Sequence, residues 1–183
     1  MANPRIIAGT RKGMRLNAVP GDSTRPVTDR VKEAVFNIIR DDIMGRRVLD
    51  LFAGSGQLGI EALSRGAREA VFVDVSTNSI KLVHDNLKLC GFAGETVKED
   101  AVSYLQHAAQ FDLIFIDPPY DSDYYEKVLE EIKLFDILTD GGIIIVETRK
   151  NKILPAMDYP LRLIKEYEYG SVKISKFSKE ART

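Results

Sequence analysis

The segment from Leu49 to Leu63 reads LDLFAGSGQLGIEAL, and its centre, Gly54-Ser55-Gly56-Gln57-Leu58-Gly59, fits the pattern G-x-G-x-x-G. Between an apolar strand and a helix such a run is a ligand-binding turn. Its glycines let the chain bend tightly and bring backbone close to a ligand at the carboxyl edge of a parallel sheet. The pattern alone suits a dinucleotide, whose pyrophosphate takes bare N–H groups and a helix N-terminus. The acids around the turn and the rest of the chain decide between that ligand and others.

Working outward, short apolar strands alternate with helices from Arg47 onward. RVLDLF, AVFVDV, ETVKE, FDLIFID and GGIIIVE read as strands, with helices predicted near residues 57–65, 78–89, 101–108 and 122–133. This is the βαβ rhythm of a parallel sheet covered on both faces. After Glu147 the rhythm changes, and PLRLIKEYEYG and SVKISKF read as an antiparallel pair hinged at Gly170-Ser171. An α/β fold with a mostly parallel, Rossmann-like sheet ending in an antiparallel hairpin is the layout of the class I S-adenosylmethionine (SAM)-dependent methyltransferases, an inference from architecture.

Upstream, RIIAG and MRLNAV flank Thr10-Arg11-Lys12-Gly13 as a short β-hairpin. Pro20, Gly21 and Pro26 break the pattern, and Thr28 is placed to cap a helix. There Val31, Ala34, Val35, Ile38 and Ile39 form one apolar stripe that docks on the following domain. The expected division is a hairpin-and-helix extension over residues 1–46 and a methyltransferase domain over residues 47–183.

With 183 residues, 44% apolar and 29% charged, the chain reads as one soluble globular domain with a small extension. No apolar run approaches a bilayer span, and the N-terminus lacks the apolar core of a signal peptide. The single cysteine, Cys90, excludes an internal disulfide, so a reducing, cytoplasmic location is expected. Cys90 with His84 and His107 is too few ligands for zinc, so no metal is expected, and Cys90 reads as a core residue at a helix end.

The net charge of −1 hides an asymmetry. Residues 1–47 hold ten Lys/Arg against five Asp/Glu, net +5, which leaves −6 for the remainder. Arg5, Arg11, Lys12 and Arg15 lie in a stretch without an acid, as in a segment tracking phosphates. The bland alternative is a solvated hairpin rim. The cations would then have to come from Lys173, Lys176 and Lys179 near the C-terminus. An exposed hairpin tip is expected to add little to the core.

Asp50, four residues before Gly54, would repel a pyrophosphate. SAM carries a sulfonium and an ammonium instead of phosphates, so an acid there attracts it. Asp74 ends the second strand, 18 residues past Gly56, where it would accept hydrogen bonds from ribose hydroxyls of either cofactor. Asp100, followed by Ala101, would meet an adenine amino group. For both Asp74 and Asp100 the structural alternative is a helix cap.

FIDPPYDS closes the fourth strand with Asp117-Pro118-Pro119-Tyr120, 67 residues after Asp50. Two prolines end the ladder and remove two N–H donors, leaving an acceptor-rich edge. An exocyclic base amine is a poor nucleophile because its lone pair is delocalised. Hydrogen bonds from it to the Asp117 carboxylate and the Pro118 carbonyl would aim that lone pair at a methyl group, with Tyr120 offering a face for stacking.

Over nearly its whole length the chain resembles bacterial 16S ribosomal RNA guanine-N2 methyltransferases of the RsmD kind. The resemblance is carried by RIIAGTRKGMRL, RPVTDRVKEAVFNII, VLDLFAGSGQLGIEALSRGA, DPPY and GGIIIVE. Family members usually have Thr after Arg-Pro, where this chain has Val27. The resemblance implies methylation of guanine 966, in conventional ribosomal numbering, within 16S rRNA of a small-subunit assembly intermediate, with SAM as cofactor. The motifs themselves reach only to an amino group of a base or amide.

The resulting expectation has Asp50, Phe52, Ala53, Gly54, Ser55, Gly56, Asp74, Asp100 and Ala101 around SAM. Asp117, Pro118, Pro119 and Tyr120 take the guanine, while Arg5, Arg11, Lys12, Arg15 and Arg25 grip the RNA backbone without reading sequence. A monomer, with neither membrane nor metal, is expected. Two alternatives are an adenine-N6 DNA methyltransferase, which usually adds a target-recognition region for which 183 residues leave no room, and a non-catalytic RNA-binding assembly factor.

Overall fold

A computed structural model describes residues 4–18, 29–119 and 122–181. Arg25, Val27, Thr28 and Tyr120 lie outside the described residues. Seven strands form one sheet: β1 (Arg47–Asp50), β2 (Glu69–Asp74), β3 (Glu95–Lys98), β4 (Phe111–Ile116), β5 (Leu138–Arg149), β6 (Leu161–Tyr169) and β7 (Val172–Lys179). Their order is β3-β2-β1-β4-β5-β7-β6. The first five run parallel, and β7 enters antiparallel between β5 and β6. The expected α/β, SAM-methyltransferase-like architecture is therefore the observed one.

Each central strand is apolar on both faces, because helices cover both. Val48, Phe72, Leu113, Phe115, Ile143 and Ile145 point to one side, where they pack with α1 (Asp29–Ile38), α2 (Gln57–Ser64) and α3 (Thr77–Cys90). The intervening residues Leu49, Val71, Ile114, Ile116, Ile144 and Val146 point to the other, against α4 (Ala101–Leu105) and α5 (Tyr124–Leu134). This period of two is what a doubly covered parallel sheet requires. Cys90 closes α3 and is buried, as expected of a helix-end core residue.

The N-terminal arm is more firmly joined to this body than its charge suggests. It closes through one antiparallel bridge, Arg5 to Arg15, with Ile6 donating to Met14 O at 2.8 Å and Leu16 to Pro4 O at 2.7 Å. Ile6 and Leu16 are each 1% exposed and share the core of α1 to α3. Gly9 sits so close to the end of α2 that a Cβ there would stand 1.8 Å from Ser64 O. The fully buried Glu61 accepts from the backbone N–H groups of Ile7 (2.8 Å) and Ala8 (3.0 Å), and Lys32, also fully buried, donates to Arg5 O. Burial pushes the Lys32 ammonium down, against the opposing pull of Glu61 and Asp29. The hairpin tip itself, residues 9–13, is exposed; it is the arm below it whose backbone is received by buried charges on α1 and α2.

Candidate active site

The turn between β1 and α2 carries the glycines to the carboxyl edge. Gly56 precedes α2 with φ 77°, a left-handed value that suits glycine. Gly59 lets α2 lie against β2, since a Cβ there would stand 2.3 Å from the Phe72 ring. Two of the turn's amides are taken by acids. Gly59 N–H donates to Asp50 Oδ2 at 2.9 Å, and Gly54 N–H donates to Asp74 Oδ2 at 2.9 Å. The other Asp74 oxygen accepts from Ser76 N–H at 2.8 Å. Ser76, rather than Asp74, caps α3. Ala53 is buried, while Phe52, Gly54 and Ser55 are half-buried at the edge.

Asp100 is the N-cap of α4, so its structural alternative is realised. Its Oδ1 accepts from Val102 N–H (3.0 Å) and Ser103 N–H (3.2 Å). Its Oδ2 accepts from the Tyr124 hydroxyl at 2.6 Å, a bond that raises the Tyr124 phenol above its ordinary value. The Tyr124 ring meets Phe52 edge-on, centroids 5.3 Å apart. Capping consumes one oxygen and leaves the other to the Tyr124 hydroxyl, with Ala101 buried next in the chain.

Asp50 ends β1 and Asp117 directly follows the neighbouring β4, in which Phe115 is paired with Asp50. Asp50 is 3% exposed and Asp117 is half-buried. Burial pushes Asp50 up to about 7, the Gly59 N–H bond opposes this, and the charges of Asp117 and Asp74 add to it. Burial likewise pushes Asp117 up to about 7. Pro118 is buried and Pro119 exposed. The sheet edge thus brings together Asp50, Asp74, Asp100 and Asp117, and the charges of Asp117 and Asp74 disfavour ionisation of the buried Asp50.

The cations of the arm divide. Arg11 Nε donates to Cys90 O at 2.7 Å, and its guanidinium lies 5.6 Å from the Phe92 ring centre. Arg5 pairs with Asp29 at 2.8 Å on the surface. Lys12 and Arg15 are exposed and have no side-chain partner among the described residues. In the alternative set near the C-terminus, Lys173 pairs with Glu166 (2.9 Å), Lys176 with Asp42 (3.1 Å) and Lys179 with Asp136 (2.7 Å), and none is exposed.

Two residues at the site carry no motif and were missed from the sequence. Tyr124 is one. Asn86 is the other, fully buried in α3, where it accepts from Asn17 N–H (2.8 Å) and donates to Asn17 O (3.1 Å) and Ser55 O (2.9 Å). It joins the end of the described arm to the glycine turn. Only its place on the inward face of a helix could have drawn attention to it.

Among the described residues, no group of three or more His, Cys, Asp or Glu is placed to hold a metal ion, and no helix is long and apolar enough to cross a membrane. The family model described as Conserved hypothetical protein 95 matches residues 4–178. YlbH of Bacillus subtilis, provisionally named an rRNA methyltransferase, is 40% identical over 96% of this chain and 98% of its own. Ribosomal RNA small subunit methyltransferase D of Escherichia coli K12 is 32% identical over 97% of this chain and 90% of its own. The solved structure of yhhF from Escherichia coli, provisionally described as a methyltransferase, superposes with a TM-score of 0.89 at 30% identity, covering 97% of this chain and 98% of that one. The match to the family model and these near full-length similarities place the chain in that family, the one of the small subunit methyltransferase D proteins that its sequence resembles.

Proposed function

We propose that the protein transfers a methyl group from SAM to the exocyclic N2 amine of a guanine in 16S rRNA, acting on a small-subunit assembly intermediate in the cytoplasm as a monomer. The observation that carries the reading is the state of the glycine turn. Two of its amides donate to Asp50 and Asp74, so the turn meets a ligand with acids where a pyrophosphate needs free N–H groups. A sulfonium and an ammonium fit those acids, and their charge favours the ionised forms of Asp50 and Asp117 that burial disfavours.

SAM supplies an electrophilic methyl group on sulfur. Asp74 and Asp100 hold the nucleoside part, with Phe52 and Ala101 as apolar walls, and Asp50 keeps the turn in place through Gly59. The Asp117 carboxylate and the Pro118 carbonyl accept from the guanine amine and direct its lone pair, and Tyr120 offers its ring to the base. The gain comes from positioning and from acceptors fixed where positive charge develops on nitrogen. The methylated amine is acidic enough to lose its proton to water. Lys12 and Arg15, with Arg5 and Arg25, hold the RNA backbone. The names of the relatives, which are rRNA and small-subunit RNA methyltransferases, support the RNA class.

The test is tritiated methyl transfer to small-subunit RNA, to assembly intermediates and to duplex DNA, with the methylated nucleotide mapped in RNA from a deletion strain. Labelling of N2 on one guanine is expected. Transfer to adenine in duplex DNA, or tight NAD binding in place of S-adenosylhomocysteine, overturns the reading.

A further inference from the structure

Asp100 has acceptor room for about four hydrogen bonds as a carboxylate, and the fold occupies three of these positions. Val102 and Ser103 take Oδ1, and the Tyr124 hydroxyl takes Oδ2 at 2.6 Å. Tyr124 is also the first residue of α5, and its ring leans on Phe52 of the glycine turn. It therefore touches the two residues that wall the nucleoside end of the cofactor site. Seven residues back along the chain is Asp117, at the place where the base amine is to be held.

We propose that Tyr124 is a positioning residue that sets the start of α5, and through it Asp117-Pro118-Pro119, by reference to Asp100 and Phe52. The inference rests on the reading of Asp100 as a contact of the cofactor's purine. An exocyclic purine amine arriving at Oδ2 shares that oxygen with the Tyr124 hydroxyl, so occupancy of the cofactor site and the position of α5 are linked through one atom. Nothing in the D-P-P-Y motif requires this. The hydroxyl acts on Asp100 and through the spacing between cofactor and base.

The conservative variant Tyr124→Phe keeps the ring on Phe52 and removes only the hydroxyl. With a defined small-subunit RNA substrate, kcat is expected to fall at least tenfold while KM for SAM stays within threefold of wild type. S-adenosylhomocysteine affinity without RNA should also stay within threefold of wild type, because the acceptor position left on Asp100 is present in both chains. In the wild type, S-adenosylhomocysteine should tighten RNA binding several-fold, and in Tyr124→Phe that factor should collapse towards one. Asp100→Asn gives the opposite split: its carboxamide still caps α4 through oxygen and donates to the Tyr124 oxygen, so KM rises with kcat largely kept. A hydroxyl with a merely structural role would lower the melting temperature and leave the linkage factor unchanged. Wild-type kcat and linkage in Tyr124→Phe overturn the inference and leave the proposed function standing, whereas a wild-type chain that methylates no ribosomal RNA overturns both.

Discussion

The carboxyl edge of the sheet and the N-terminal arm both drew attention by their charge, and the structure treats them in opposite ways. At the edge, Asp50, Asp74, Asp100 and Asp117 stand together because each ends or follows a strand of one parallel sheet, so their spacing in sequence fixes their meeting in space. In the arm, four cations share a hairpin, yet Arg11 turns back to the body and Arg5 to α1. A charge at a strand end in a known topology has a determined place. A charge on a hairpin has a choice of partners that the sequence does not reveal.

The strongest way to break this contrast is Asp117→Ala. If the edge acids act where the strands place them, turnover falls by at least about a thousandfold, roughly 4 kcal/mol. S-adenosylhomocysteine affinity in calorimetry should be nearly intact, because the partner of Asp117 is the base. Survival of more than a tenth of the activity assigns the acceptor role elsewhere.

The counterpart in the arm is Glu61→Ala. This carboxylate is fully buried and serves Ile7 and Ala8 N–H and the Arg65 guanidinium, so its loss leaves three half-buried donors without their acceptor and the buried Lys32 without a nearby negative charge. A loss of about 3 kcal/mol is expected, seen as a melting temperature lower by roughly 6–12 °C for a chain of this size. An unchanged melting temperature would mean that the arm is only laid on the body.

The next prediction sharpens the edge through pH. Asp117 and Asp50 are pushed up to about 7, so below that pH the free protein holds them protonated. The ratio kcat/KM should rise roughly tenfold between pH 6 and pH 8 and then level off, while kcat at saturating SAM, with a cation beside the acids, should be flatter. Stability follows from the same shift. A carboxyl whose folded value lies above its unfolded one near 3.8 gives stability in full below that pH and loses it as the pH rises through about 7. The melting temperature of the free protein should therefore decline from pH 5 to pH 8, and Asp50→Asn should flatten the decline.

Most of the fold and the edge was legible because period-two apolar strands and a glycine turn leave few topologies open. What was not legible is made of side chains that serve backbone from a distance. Glu61 holds Ile7 and Ala8 from 54 and 53 positions away, and Asn86 holds Asn17 from 69. Asp100 shows the intermediate case. Its place was legible, but its cap and its bond to Tyr124 depend on which oxygen faces which neighbour, and that is settled only in three dimensions.

The smallest expected effect, and the one that most directly divides the arm's cations, is the salt dependence of RNA binding. Each phosphate neutralised on a single strand contributes about 0.7 to the slope of log affinity against log salt. Lys12 and Arg15 are exposed and have no side-chain partner among the described residues, so replacing both by Ala should reduce the slope by about 1.4 without moving the melting temperature. Arg11 should behave differently. Its Nε bond to Cys90 O and its place over Phe92 anchor the hairpin tip to the end of α3, so Arg11→Ala should cost about 1 kcal/mol of stability and leave the slope nearly unchanged. Equal slopes for both variants and the wild type would make the arm a scaffold with no part in gripping RNA. A reduction of about 0.7 from Arg11→Ala alone would mean that its guanidinium holds Cys90 and a phosphate together, since Nε is occupied and the two terminal nitrogens can still donate.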